Sequence, residues 1–400
     1  MTFEQLRADE AAYHMHVYGR QPVAFARGEG VRLWDVEGRE YLDFVAGIAV
    51  MSVGHSHPKV VAAVREQIGR LTHVSNLYYT EAQIRLAERL HGLLGWGRVF
   101  FGNSGAEANE CAMKLARRWQ RENGRPERAG VVAALGSFHG RTVATLAATG
   151  QPHKHEPFAP LPPELVHHVP LNDADALDAA LKDDIGALLL EVVQGEGGIN
   201  PASPEYLKAA RELCDERGML LIFDEVQTGL GRTGRWFGFQ HSGVVPDVVT
   251  LAKALGGGLP IGACVAREDV ADAFKPGDHA TTFGGGPVPC AAALAVLDVI
   301  ESEELVANSA RMGERLVARL RDALADVPAV TEVRGVGLLV GVQLAGEHAK
   351  DVVDAARGRG LLVNNVRPDT VRLSPPLIVE ETDVDRAVAI LTDAIKAGAP

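Results

Sequence analysis

Leu220-Leu-Ile-Phe-Asp224-Glu-Val-Gln227-Thr-Gly-Leu-Gly-Arg-Thr-Gly234 decides the fold. Four apolar residues run straight into Asp224, and a glycine-rich turn follows. That order predicts a buried strand carrying a carboxylate at its C-terminal end, the edge at which open α/β sheets bind ligands. A second apolar run, Val248-Val-Thr-Leu-Ala252, leads to Lys253 and then to Ala-Leu-Gly-Gly-Gly258, which places Lys253 at the end of the next strand. A lysine and an aspartate at neighbouring strand ends suit pyridoxal phosphate: the lysine forms a Schiff base and the acid pairs with the pyridinium nitrogen.

The same alternation extends outward. Upstream, Arg98–Phe101, Gly130–Leu135 and Gly186–Glu191 read as strands, and Ile261–Ala266 follows Lys253. Helices are predicted over Lys59–Leu71, over Glu81–Leu94 before Gly95, from Ser104 to about Glu122, and between Ser203-Pro204 and Gly218. Ser104 with Glu107 three residues on reads as a capping box, and a helix start beside a glycine turn is a ready anion site. Residues 150–164, rich in Pro and His, read as a loop. Strand and helix alternating from about 98 to 266 imply a mostly parallel sheet between helices.

Beyond Gly286-Pro287 a helix is expected to about Ile300, then a smaller α+β lobe: helices near 303–324, 349–358 and 381–396, with strands between them. Val31–Phe44, alternating about Glu37-Gly38, reads as a hairpin that joins this lobe. The expected division is an N-terminal segment (1–50), a large cofactor-binding domain (51–290) and a C-terminal small domain (291–400). A chain of 400 residues is long enough for such a division.

Composition narrows the function. A net charge of −12 argues against nucleic-acid or anionic-membrane binding. The acidic start, without an apolar core, is no signal peptide, and no apolar run reaches membrane-spanning length. Cys111, Cys214, Cys264 and Cys290 stand far apart and read as reduced, mostly buried thiols of a cytoplasmic enzyme. His55-x-His57, His14-x-His16 and His153-x-His155 lack a suitably spaced third ligand, so no metal site is read. Gly229-Leu-Gly231-Arg-Thr-Gly234, with Asp247 18 residues past Gly229, fits a dinucleotide fingerprint and would imply a nicotinamide dehydrogenase. The context fails: Glu225–Thr228 separates these glycines from the strand, and no helix-forming run follows them. Asp224 and Lys253 could also be a plain strand-end ion pair. The anion-binding helix start, an aromatic beside a strand end and two arginines near Gly-rich turns weigh against that.

Asn103-Ser-Gly-Ala-Glu-Ala-Asn-Glu110, Ser137-Phe-His-Gly-Arg-Thr142, Glu191-Val-Val-Gln-Gly-Glu-Gly-Gly198, Phe223–Gly234 and Leu251-Ala-Lys-Ala-Leu-Gly-Gly-Gly258 resemble the class III (ω-amino acid) aminotransferases, in order from about residue 20 to 390. Gly47-Ile-Ala-Val, Gly54-His-Ser-His-Pro58 and His73–Glu81 are most similar to the acetylornithine-specific branch. The resemblance implies a fold-type I PLP-dependent transferase with a seven-stranded-type sheet, and a homodimer whose sites are shared across the interface. It implies Lys253 as the Schiff-base lysine and proton carrier, Asp224 on the ring nitrogen, Gln227 on the ring 3′ oxygen, and Val226 and Phe138 sandwiching the ring. It assigns the phosphate to Ser104, Gly105 and Ala106, with Thr282 reaching the phosphate held by the partner subunit. Arg141 would hold the distal substrate carboxylate and Arg372 a second one, with Glu196 pairing Arg372 when that second carboxylate is absent. The implied substrates are an amino acid and a 2-oxo acid. N2-acetylornithine with 2-oxoglutarate, in arginine biosynthesis, stands first; ornithine, succinylornithine, succinyl-diaminopimelate and 4-aminobutyrate are alternatives. Three positions depart from the family pattern: Gly286 for Asn, Met51 where Asn is frequent, and Val192 for Pro.

Overall fold

The computed structural model describes residues 1–162 and 165–398. Its centre is a seven-stranded sheet in the order Arg98–Gly102, Gly262–Ala266, Val248–Leu251, Leu220–Asp224, Ile185–Leu190, Gly130–Ala134, Val166–Val169. All neighbours are parallel except Gly262–Ala266, which runs antiparallel to both of its own. The Leu220–Asp224 strand shows why an unbroken apolar run was needed. Leu220 and Ile222 face one core with Cys111, Ala112 and Leu115 of the helix Gly105–Glu122. Leu221 and Phe223 face the other, with Tyr206 and Leu207 of the helix Pro204–Arg217. Both faces of the sheet are covered, so every side chain of the strand is buried.

The helices end where their caps dictate. Ser203 accepts from Tyr206 N at 3.1 Å and precedes Pro204, while Gly218 takes φ +61° at the C-terminus. Gly95 closes Glu81–Leu94 at φ +80° in the same way. At the helix Gly105–Glu122 the predicted capping box is only half made. Ser104 Oγ accepts from Glu107 N at 3.1 Å, but Glu107 Oε2 accepts from Asn103 N and Asn103 Nδ2 at 2.7 and 2.8 Å instead of reaching back to Ser104. The glutamate thus fixes the turn before the helix.

Two elements differ from expectation. Lys253 is not on a strand: the strand stops at Leu251, and Lys253 opens a 3₁₀ turn, Lys253–Gly256, with φ +41°. Residues 150–164 contain a helical turn, Pro152–His155, and a 3₁₀ turn, Glu156–Phe158; residues 163 and 164 lie outside the described residues. An N-terminal helix, Phe3–Tyr13, capped by Thr2 and Gln5, carries no apolar stripe that would have announced it, and none of its residues is buried.

The hairpin Arg32–Asp35/Glu40–Asp43 is present and gains Phe25–Glu29 on one edge and Leu361–Leu362 on the other, the latter tying both ends of the chain together. The C-terminal sheet runs Val330–Val336, Leu339–Leu344, Thr370–Leu373, Asn364–Arg367, all antiparallel. We propose that these two sheets and their helices make up the small domain. The helix Pro287–Ser302 then links the domains, because it runs unbroken through residue 290 and packs on the helices Pro58–Arg70 and Glu81–Leu94.

Candidate active site

A cavity of about 490 Å³ opens at the carboxyl end of the central sheet, within the usual size of small-ligand sites. Ser104, Gly105, Ala106, Phe138, Arg141, Glu196, Asp224, Val226, Gln227 and Lys253 all line it. Arg372 lies just behind the wall. Thr282 does not join them within one chain; it is exposed and lines a separate hollow with Ser75, Asn76 and Gln83.

Asp224 is the last residue of its strand and lines the cavity with both carboxylate oxygens hydrogen-bonded. Oδ1 accepts from Val226 N at 3.0 Å; Oδ2 accepts from Asn109 Nδ2 at 2.7 Å and meets His139 Nδ1 at 2.8 Å. Asn109 is itself saturated. Its Nδ2 also donates to His139 O at 2.8 Å and its Oδ1 accepts from Thr250 Oγ1 at 2.7 Å. The network joins helix, loop and two strands at full burial, so the carboxylate has one orientation.

Lys253 holds a left-handed backbone conformation, unfavourable for a residue with a Cβ. Burial pushes its ammonium below the ordinary lysine range, and the charge of Arg372 acts in the same direction; Glu196, Asp224 and Glu191 oppose. The net shift makes the proton easier to lose, and the neutral amine is the form that can act as nucleophile and base.

Across the cavity, the N–H groups of Gly105 and Ala106 belong to a first helical turn, whose donors lack partners inside the helix. A side chain at Gly105 would place its Cβ 2.8 Å from Val226 Cγ1, so the backbone approaches the Val226 wall as only glycine can. Phe138 is set by its own N–H, which donates to Glu191 Oε1 at 2.8 Å, and the guanidinium of Arg141 lies 5.5 Å from the centroid of its ring. Met51, one of the departures from the family pattern, packs by the cavity-lining Gly258, where a Cβ would meet its sulfur at 3.2 Å.

Arg372 is buried and held on three sides. Nη1 donates to Glu196 Oε1 at 2.6 Å and Gln227 Oε1 at 3.1 Å, and Nε to Asn364 Oδ1 at 3.2 Å; Nη2 is buried without a partner. Burial works against the Glu196 carboxylate, but Arg372 and then Lys253 outweigh it and hold its pKa below the usual range.

Sequence reasoning assigned no role to Asn109, His139 or Glu191. Glu191 is buried at the end of the strand Ile185–Leu190; Oε1 binds Phe138 N and Oε2 binds Gly195 N at 3.1 Å. Burial, with Asp224 adding and His139 opposing, pushes its carboxyl up to about 7. The signal for Glu191 was the one that revealed Asp224, an apolar run ending in an acid. For Asn109 it was an amide on a helix stripe of Ala108, Cys111, Ala112 and Leu115.

Among the described residues no group of three His, Cys, Asp or Glu side chains could hold a metal ion. His55 Nε2 pairs with Asp43 at 2.7 Å, and all four cysteines are free and buried. The glycines from Gly229 to Gly234 turn into the C-terminal lobe, where Leu338 N donates to Arg232 O at 3.0 Å.

The description of the class III aminotransferase family matches residues 14–395. The chain belongs to the class III aminotransferases. It is 50% identical to the acetylornithine aminotransferase of Caldanaerobacter subterraneus subsp. tengcongensis over 386 residues, covering 96% of this chain and 98% of that protein. Against the acetylornithine aminotransferase of Streptomyces coelicolor it is 51% identical over 393 residues, 98% and 95% of the two chains. Among solved structures, the ornithine aminotransferase of Toxoplasma gondii superposes with a TM-score of 0.95 at 37% identity, covering 99% and 96%. The acetylornithine aminotransferase of Elizabethkingia anophelis gives 0.88 at 33%, covering 99% and 100%. Class III aminotransferases depend on pyridoxal phosphate, and the residues present here fit it: a buried lysine whose pKa is lowered, a carboxylate fixed by its hydrogen bonds, a helix N-terminus for the phosphate, and Phe138 and Val226 both lining the cavity.

Proposed function

We propose that this aminotransferase moves the δ-amino group of N2-acetylornithine to 2-oxoglutarate, giving N-acetylglutamate 5-semialdehyde and glutamate, a step of arginine biosynthesis. The observation that carries it is the Glu196–Arg372 ion pair at 2.6 Å beside Lys253. The donor has one carboxylate, far from its reacting amine; 2-oxoglutarate has two, one next to the reacting carbon. Arg141 at the rim serves the distal carboxylate of both. Arg372 is required only for the second, and a buried guanidinium left unpaired would be costly. Glu196 supplies the missing charge while the donor is bound and gives way to the 2-oxo acid. The acetylornithine-named relatives at about half identity favour the same donor.

Pyridoxal phosphate, when bound, supplies the electron sink that makes the carbon bearing the amine acidic. Lys253 Nζ would hold it and, once free, take the proton from the δ-carbon and later return it. Asp224 would keep the ring nitrogen protonated. Gln227, whose oxygen is taken by Arg372, has its NH₂ left to donate to the 3′ oxygen. Ser104, Gly105 and Ala106 would bind the phosphate, and Val226 and Phe138 would hold the ring flat and exclude water.

Thr282 fits the phosphate site of a second copy, and the exposed Leu77, Tyr78, Tyr79 and Phe283 near it make an apolar face suited to a homodimer. A monomeric mass in sedimentation would overturn that reading. No helix among the described residues is long and apolar enough to cross a membrane, and the four free, buried cysteines support placing the enzyme in the cytoplasm.

The test is steady-state comparison of N2-acetylornithine, ornithine, N2-succinylornithine, succinyl-diaminopimelate and 4-aminobutyrate as donors to 2-oxoglutarate. N2-acetylornithine should have the highest kcat/KM, and Lys253→Ala should abolish turnover and the borohydride-sensitive visible absorbance. Preference for an unacylated donor would refute the assignment.

A further inference from the structure

Arg334, Gly341, Arg372 and Asn364 form one row across the C-terminal sheet: Arg334 pairs with Gly341, Gly341 with Arg372, and Arg372 with Asn364. Directly opposed residues put their side chains on the same face, so two arginines flank a glycine there. The loop that carries Glu196 lies on that glycine. A Cβ at Gly341 would come within 3.0 Å of Ile199 Cγ1 and 3.4 Å of Gly198 O. Arg372 holds one end of the loop through the Glu196 carboxylate at 2.6 Å. Arg334 holds the other through the backbone: Nε donates to Gly198 O and Ile199 O, both at 3.0 Å, and Nη2 donates to Gly198 O at 2.5 Å.

The grip falls where the chain is least comfortable. Gly198 has φ +118° and Ile199 φ +60°, the latter an outlier for a β-branched residue. Such a turn persists only when its surroundings over-determine it, and Arg334 supplies that constraint. The guanidinium is itself fixed by Glu332 Oε2 at 2.6 Å and Gln343 Oε1 at 3.0 Å. A groove behind the loop, lined by Gly136, Gly197, Asn200, Arg334 and Arg367, leaves it space to move.

We propose that Arg334 is a positioning residue that holds Glu196 against Arg372 and thereby sets how readily Arg372 is released to a second substrate carboxylate. This rests on the reading of the Glu196–Arg372 pair given above. Without Arg334 the strained turn relaxes, Glu196 competes less well for Arg372, and dicarboxylate substrates gain at the expense of the single-carboxylate donor.

Stopped-flow absorbance on the holoenzyme separates the two half-reactions, N2-acetylornithine against the aldehyde form and 2-oxoglutarate against the amine form. For Arg334→Gln the ratio of kcat/KM for 2-oxoglutarate to kcat/KM for the donor should rise about tenfold, equivalent to about 1.4 kcal/mol. Glu196→Gln should raise it in the same direction, and the double variant should add nothing further, since both substitutions act on one contact. Gly341→Ala keeps Arg334 but presses on Ile199. It should move the ratio the same way, and it decides the matter if Arg334→Gln does not fold. The proposal is overturned if Glu196→Gln shifts the ratio but Arg334→Gln and Gly341→Ala leave it within about twofold, or if they slow both half-reactions equally. A Glu196→Gln enzyme with an unchanged ratio would instead overturn the reading of the pair, and the proposal with it.

Discussion

Asn109→Asp should convert the hydrogen-bond network around Asp224 into a pH-dependent liability. The change is nearly isosteric, so packing survives, but it places a second carboxyl 2.7 Å from Asp224 Oδ2 at a buried position. Two charges at that separation repel by about 6 kcal/mol at an effective dielectric of about 20. Binding one proton at pH 7 costs about 4 kcal/mol, from about three pH units above an ordinary aspartate at about 1.4 kcal/mol each. Proton uptake is the cheaper response, so the folded variant binds one proton more than its unfolded chain. A folded state with the extra proton loses stability as pH rises from about 4 toward the raised pKa, by about 1.4 kcal/mol per unit. Urea unfolding of variant and parent at pH 5, 6, 7 and 8 checks this: the deficit should widen by about 4 kcal/mol over that range, and kcat should fall at least a hundredfold because Asp224 no longer presents a full charge. A deficit independent of pH, with kcat within threefold of the parent, would refute the electrostatic account of the network.

Glu191→Gln should behave with the opposite consequence for the variant. The Glu191 carboxyl, pushed up to about 7, lies above its unfolded value, so its contribution to stability is complete in acid and is lost as pH climbs through 7. The substitution gives up one acceptor, either for Phe138 N or for Gly195 N, and should therefore destabilise by about 1 kcal/mol at pH 5 and become neutral or stabilising by pH 8; unfolding midpoints at the two pH values decide it. Gly105→Ala should drive its new methyl against Val226, 2.8 Å from Cγ1, and weaken cofactor retention about tenfold while the fold persists. Equilibrium dialysis of pyridoxal phosphate against the variant reads that directly, and unchanged affinity would show that the Val226 wall yields freely.

The sequence made the scaffold legible because the inner strands of the central sheet are buried on both faces and the helices packed on it carry apolar stripes. Asp224 and Lys253 followed from such runs ending in charge. What stayed hidden has a common physical cause: the contact lies between segments that are distant in sequence and made of residues with no periodic signature. Asn109 looked like one amide among alanines until the fold set it against Asp224, 115 positions away. Lys253 read as a strand terminus because nothing in an Ala-Lys-Ala sequence announces a left-handed backbone; tertiary packing imposes it. The G-x-G-x-x-G pattern was the reverse case, a local signature whose glycines serve a turn into the C-terminal lobe, where Arg232 donates to the carbonyls of Leu338 and Pro375.

Arg232 shows how far that non-local logic reaches into function. It is fully buried with no acidic partner, and burial, assisted by the charge of Arg372, pulls its pKa down to about 9. Its donors hold Pro375, three residues beyond Arg372, and Ser52, at the base of the N-terminal segment. Two buried arginines therefore lie close enough to repel one another, and only Arg372 has a carboxylate partner. In the proposed mechanism, displacement of Glu196 by a substrate carboxylate would exchange one anion for another beside Arg372 and would not leave that guanidinium bare. On that proposal the site would accept a dicarboxylate by exchanging anions and would tolerate a monocarboxylate only while Glu196 is in place, the asymmetry that a transaminase with these two substrates requires.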